Sequence, residues 1–167
     1  LQPDLDFGIY LRMTAKGELI MEYSEDMAVF HLVKRKDPYQ LYFMIGYPAT
    51  FLARLYMSTG VTSYLENAKF LLNWAMSCDE SLYTFHFSHK IALASSMVAK
   101  ITEEEKYREL SERITSFLLS IQNEDGTTSV VGDMPDTPGV GDAVEFQGYW
   151  TENPRYGTQF RITGYRR

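Results

Sequence analysis

The chain has 167 residues, a net charge of −6, a pI near 5.1, and contents of 45% hydrophobic and 14% aromatic residues, which suit one domain and exclude a disordered chain. The acidic balance excludes a globally basic footprint for nucleic acid or anionic membrane, and no stretch approaches the ~20 apolar residues of a spanning helix. The single cysteine, Cys78, excludes an intramolecular disulfide framework. No basic region precedes an apolar run, and the first residue is Leu1, so the reading is a processed or excerpted cytoplasmic chain with no membrane partner.

In chain order, Leu5, Phe7, Ile9, Leu11 and Met13 alternate, Ala15-Lys16-Gly17 supplies a turn and residues 19–23 can return, which predicts a β-hairpin over residues 5–23. Ser24 is placed to cap a helix over about residues 25–36, with acids near its start and Lys34 to Lys36 near its end, before Asp37-Pro38 stops it. A second helix is predicted over residues 47–58, with Pro48 in its first turn and Thr59-Gly60 closing it. Ser63-Tyr64-Leu65-Glu66 has the form of a capping box opening a helix through about residue 77, with Leu65, Ala68, Leu72 and Ala75 as its buried stripe.

This unit repeats. A shift of 43 residues superposes Thr59 on Thr102, Tyr64 on Tyr107, Ala68 on Ser111, Leu71 on Ile114 and Trp74 on Phe117, and Thr102 to Glu105 again has the form of a capping box. Tyr107, Leu110, Ile114, Phe117 and Ile121 then form one helix face. Two stacked helical hairpins follow, each covering the apolar face its neighbour leaves open.

At Gln122-Asn123-Glu124-Asp125-Gly126 the spacing changes from helical to alternating. Strands are predicted at residues 128–132, 143–151 and 158–165, a three-stranded antiparallel meander punctuated by Asp136-Thr137-Pro138-Gly139 and Asn153-Pro154-Arg155-Tyr156-Gly157. The expected fold class is thus mainly α with a β segment: helical hairpins, an N-terminal β-hairpin and a C-terminal meander. The expected domains are 1–126 and 127–167.

The run Tyr42-Phe43-Met44-Ile45-Gly46-Tyr47-Pro48, then Phe51 to Tyr56, His86-Phe87-Ser88-His89-Lys90 and Tyr107-Arg108-Glu109-Leu110, resembles terpenoid-cyclase-like α/α toroid proteins over residues 5–126. Gln122 to Gly126 is similar to the start of the Asp-Gly-Xaa-Trp repeat signature of such cyclases, with Thr128 at the Trp position. The resemblance implies about six hairpins around a cavity. Two hairpins and a leading helix cannot close that ring, so a homo-oligomer or missing toroid segments would complete it. The Asp-Xaa-Asp-Asp acid motif of protonating cyclases is absent, Asp4-Leu5-Asp6 is a poor substitute, and no family catalytic residue carries over.

The tail, from Val130-Val131-Gly132-Asp133 to Gly148-Tyr149-Trp150 and Asn153-Pro154-Arg155-Tyr156-Gly157-Thr158-Gln159-Phe160-Arg161, is similar to the N-terminal OB-like region of RecD-like ATP-dependent DNA helicases. It lacks the leading strands of an OB barrel. No Gly-x-x-x-x-Gly-Lys-Ser/Thr phosphate loop occurs in the chain, so helicase activity is not expected of it.

The candidate chemistry is sparse. His86 and His89 stand three residues apart and could hold a metal with Cys78 or Asp79, but flanking Phe85 and Phe87 favour neutral histidines hydrogen-bonded in a packed loop, so no metal or cofactor is expected. Tyr39, Tyr42, Phe43, Tyr47, Tyr83, Phe85 and His86 cluster where a toroid opens its cavity and could stabilise a carbocation or stack on a sugar; core packing is the stronger reading, and the catalytic assignment stays unknown with His86, His89, Tyr42, Tyr47 and Tyr83 as pocket candidates. Glu103 to Glu105 read as a cap, and the methionines as gap fillers. Trp150, Arg155, Tyr156 and Arg161 are the nucleic-acid candidates, with the residue types that stack on bases and neutralise phosphates. Residues 127–167 nevertheless carry five acids against four arginines.

The leading expectation is a helical-hairpin binding or scaffold module without a complete active site. The alternatives are an isoprenoid cyclase-like or carbohydrate-active toroid fragment, and single-stranded nucleic-acid binding through the C-terminal β segment.

Overall fold

The computed structural model describes residues 2–123 and, by their backbone, residues 145–153 and 157–166. The chain divides into two compact units, Leu1–Val130 and Val131–Arg167. The described part of the first is mainly helical.

Its centre is four helices: α2 (Phe43–Thr59), α3 (Thr62–Ala75), α4 (His89–Thr102) and α5 (Glu105–Ser120). Two-residue connections join α2 to α3 and α4 to α5, and within each pair the helices pack on one another, the arrangement of an αα-hairpin. The inner helices α2 and α4 also pack together, through small residues. Gly46 sits where a Cβ would lie 2.4 Å from the Lys90 carbonyl carbon and 2.6 Å from the Ile91 nitrogen, so a side chain there would separate the helices. Ile45, Ala49 and Ala53 of α2, Leu65, Ala68, Leu72 and Ala75 of α3, Ile91, Ala94 and Val98 of α4, and Tyr107, Leu110 and Ile114 of α5 form the core. Burying these periodic stripes is the main stabilising term, at roughly 25 cal/mol per Å² removed from water. Buried polar atoms are tied across the seam: Ser95 Oγ donates to the Tyr107 carbonyl at 2.6 Å and Tyr107 Oη to Asn73 Oδ1 at 3.2 Å.

The N-terminal segment departs from expectation. β1 (Gly8–Tyr10) pairs antiparallel with β2 (Leu32–Lys34), in the register Ile9 to Val33, rather than with residues 19–23. Around Gly17, φ 85°, the expected turn does close, with the Thr14 N–H donating to the Glu18 carbonyl at 2.8 Å and the Ile20 N–H to the Arg12 carbonyl at 3.0 Å, but strand pairing there is limited to an isolated Met13 to Leu19 bridge. Burial decides the pairing: β2 places Leu32 and Val33 in the core beside Ile9, whereas the return segment is exposed or half-buried. The same demand shortens the helix predicted over residues 25–36 to a 3-10 turn, Glu25–Met27, and the four-residue α1, Ala28–His31, because Leu32 onward is extended. Ser24 makes no side-chain cap. The segment is fastened to the helices by Trp74 Nε1, which donates to the Leu5 carbonyl at 2.8 Å, and by Asp79 N–H, which donates to the Arg35 carbonyl at 3.1 Å.

Both capping boxes are also corrected. Val61 is the N-cap of α3 and Glu104 that of α5, neither with a side-chain cap bond. Thr102 belongs to α4 instead, and its Oγ1 accepts from the Glu104 N–H at 3.2 Å. α2 starts before the predicted residue 47, so Pro48 lies inside it.

In the second unit, β3 (Glu145–Asn153) pairs antiparallel with β4 (Gly157–Arg166) as a two-stranded sheet, with a register shift between Gln147 and Gly148. Among the described residues this two-stranded sheet overturns the expected three-stranded meander. The strand predicted at 128–132 lies outside the described residues. β3 runs two residues past its predicted end and β4 exceeds its predicted span by one residue at each end, because the pairing continues to Asn153 opposite Gly157.

Candidate functional site

Between the α3–α4 connection and the last turns of α5 lies a groove of about 390 Å³, lined by His86, Phe87, His89, Thr115, Leu118, Leu119 and Gln122. The turn His86–Ser88 carries the chain into α4 and sets both imidazoles at the start of that helix. His86 is wedged between rings, 4.6 Å from Phe85 and 4.1 Å from Phe87 by centroids. His89 stacks on Phe43 at 6.2 Å, and its Nδ1 lies 3.0 Å from the His86 carbonyl oxygen. Burial lowers the pKa of His86, and the neighbouring His89 adds to the shift, so its neutral form is favoured. His86 Nδ1 is buried without a hydrogen-bond partner among the described residues.

The other sequence candidates fall elsewhere. Tyr42 is fully buried, its hydroxyl 3.1 Å from Ser81 Oγ, and burial pushes its pKa up to about 12 against the opposing effect of that bond. Ser81 also accepts the Tyr39 N–H at 2.8 Å, fixing a residue held at φ 54°. Tyr42 is therefore a core strut. Tyr83 lies under the Arg113 guanidinium, 3.5 Å from ring centroid to Cζ, and burial raises its pKa although Arg113 opposes it. Tyr47 stands exposed on α2 with Lys90 Nζ 5.3 Å from its ring centroid. Of the five pocket candidates, only His86 and His89 line one groove. Phe87, read from sequence as a packing ring, lines it too; Thr115, Leu118 and Leu119 complete it and were not singled out from sequence, their signal being the 115, 118, 119, 122 spacing, a second stripe beside the core face of α5.

Cys78 is half-buried, its Sγ 3.7 Å from the Trp74 carbonyl oxygen, and burial pushes its thiol up to about 12 despite Arg35 and Lys36. A protonated thiol is a poor nucleophile and a poor ligand. Asp79 accepts the Ser81 N–H at 2.9 Å as the cap of the 3-10 turn Glu80–Tyr83. Among the described residues no three His, Cys, Asp or Glu side chains are grouped to hold a metal. Cys78, Asp79, His86 and His89 thus serve a helix end, a cap and an aromatic cluster.

In the second unit, Trp150 is registered opposite Phe160 and Tyr149 opposite Arg161. Two of the four nucleic-acid candidates, Trp150 and Arg161, therefore occupy adjacent rungs of one ladder. Arg155 and Tyr156 lie outside the described residues.

Comparison with curated proteins and with solved structures finds no match, and the toroid resemblance gains no support. A family model matches residues 97–167, less than half of the chain, beginning within α4 and running through α5 to the end of the tail. Over those residues the chain is similar to the OB-fold domain of the ATP-dependent DNA helicase YrrC.

Proposed function

We propose that the chain is a nucleic-acid-binding module whose C-terminal unit engages single strands, with the helical unit as its scaffold. The observation that carries this reading is the match of residues 97–167 to a helicase OB-fold domain, a fold that binds oligonucleotides on its strands and loops. The β3–β4 ladder supports it by registering Trp150 opposite Phe160 and Tyr149 opposite Arg161, residue types that stack on bases and neutralise phosphates. Unwinding is not part of the proposal, because no phosphate loop occurs in the sequence.

Fluorescence anisotropy of a labelled oligothymidylate with the whole chain at low salt tests the reading. Trp150→Ala is expected to weaken binding roughly five- to 150-fold, the equivalent of a lost base stack, and Arg155→Ala to make the salt dependence shallower by about 0.7 in log–log slope. Unchanged anisotropy at low salt removes the proposal.

A further inference from the structure

The inner helices α2 and α4 contain Arg54, His89, Lys90 and Lys100 and no Asp or Glu, in a chain with 22 acidic residues. The outer helices treat their cations differently. Lys69 pairs with Glu66 and Glu104, Lys106 with Glu104, Arg108 with Glu105 and Glu112, and Arg113 with Glu80. Every Lys and Arg of α3 and α5 is thus neutralised by a neighbour, whereas among the described residues Arg54, Lys90 and Lys100 enter no ion pair. Lys100 sits at the end where Glu103 to Glu105 begin, in a groove it shares with them, so the uncompensated positive zone is the part around Arg54 and Lys90.

That zone is also aromatic. Tyr47, Phe51 and Arg54 follow one another at helical spacing on α2, and the two rings are 53% and 60% exposed. On α2 the buried positions are instead Ile45, Gly46, Ala49, Thr50 and Ala53, so the helix turns small residues inward and large rings outward, the reverse of what core packing alone selects. Lys90 Nζ, 5.3 Å from the Tyr47 centroid, joins α4 to this stripe, and Leu93, 38% exposed, continues it one turn on. Tyr47 and Phe51 leave the helix about 6 Å apart along its axis, four residues at ~1.5 Å each.

We infer that Tyr47, Phe51, Arg54 and Lys90 form a second contact surface for single-stranded nucleic acid, on the helical unit itself. Unpaired cations are complementary to phosphates, exposed rings to unstacked bases, and the absence of carboxylates on both helices removes the repulsion that the rest of this acidic chain presents. The inference rests on the nucleic-acid reading above but uses residues of the other unit, so the two fail separately.

The test uses the whole chain and a labelled oligothymidylate. All four side chains are exposed or half-buried, and circular dichroism confirms that each variant keeps its helices. Phe51→Ala is expected to lower affinity about tenfold, within the range of one lost stack, and Arg54→Ala with Lys90→Ala to reduce the salt slope by about 1.4, at ~0.7 per phosphate contact. Loss in Trp150→Ala and Arg155→Ala with none in the α2 and α4 variants overturns this inference and leaves the tail reading standing; the converse pattern does the opposite. Equal binding of polyglutamate, lost in the same α2 and α4 variants, overturns it in favour of an acidic protein partner.

Discussion

Gly46 and Cys78 show how a residue's meaning depends on what surrounds it. Gly46 has an ordinary helical conformation, yet a methyl group there would meet backbone atoms of Lys90 and Ile91 at 2.4 and 2.6 Å. Gly46→Ala is therefore expected to destabilise the helical unit by about 1–3 kcal/mol, against the usual gain of alanine in a helix, read as a lower urea midpoint with unchanged m-value. Cys78 offers a pH test. Its folded-state pKa is raised to about 12 by burial, while the unfolded thiol titrates near ~8.5, so the native thiol stays protonated at pH 8–9 where the unfolded one forms thiolate. Alkylation at pH 8 is expected to be on the order of a thousandfold slower in the native chain than in urea. The same shift means stability is fully present below the unfolded pKa and not diminished by protonation; the raised acid loses stability as pH rises above ~8.5. Comparable alkylation rates in the two states would show the thiol to be open. Neither residue could be read this way from sequence, since neither the clash nor the burial is a local property.

The helices differ in how their ends are made. Gly60 closes α2 in the left-handed region at φ 70°, as its Thr-Gly context indicated, whereas the equivalent position closing α4 is Glu103 at φ 59°. These two positions predict opposite signs. Gly60→Ala is expected to cost about 1 kcal/mol although nothing lies within 4 Å of its added Cβ, and Glu103→Gly to gain about 0.5–1 kcal/mol; paired thermal melts check both. The helix-stop signal was legible because glycine's backbone freedom is intrinsic. The starts were not. Ser63-Tyr64-Leu65-Glu66 has capping-box residues, but α3 begins one residue earlier at Thr62, and Ser63 contributes its carbonyl to Asn67 at 2.7 Å. A cap needs a β-region backbone at its own position, and the two-residue α2–α3 connection puts that conformation at Val61. At the groove, His86 and His89 were legible as a pair from their spacing, but Leu118 and Leu119 were not, because only the packing of α5 against the α3–α4 connection brings them there.

For the whole molecule, net charge opposes polyanion binding while its distribution permits it. A chain at −6 must bind an oligonucleotide through local cations, so the interaction should be modest and steeply screened. With about three phosphate contacts, the single-strand slope of ~0.7 per contact predicts roughly 15- to 20-fold weaker binding at 200 mM than at 50 mM salt. An anisotropy titration with flat salt dependence would contradict a phosphate-led mode. The sequence by itself determined the period of each helix and therefore its buried stripe, as Leu65, Ala68, Leu72 and Ala75 show, the lack of a phosphate loop, and the tail motif shared with helicase OB domains. Those are properties of spacing and residue type. Only the tertiary structure decided that β1 pairs with β2 rather than its neighbour, that Tyr42 is a strut while Tyr47 is open, and that the cations of α3 and α5 are neutralised while Arg54 and Lys90 are not. Those outcomes depend on which surfaces compete for the same core and which charges meet across it, and a one-dimensional pattern carries neither.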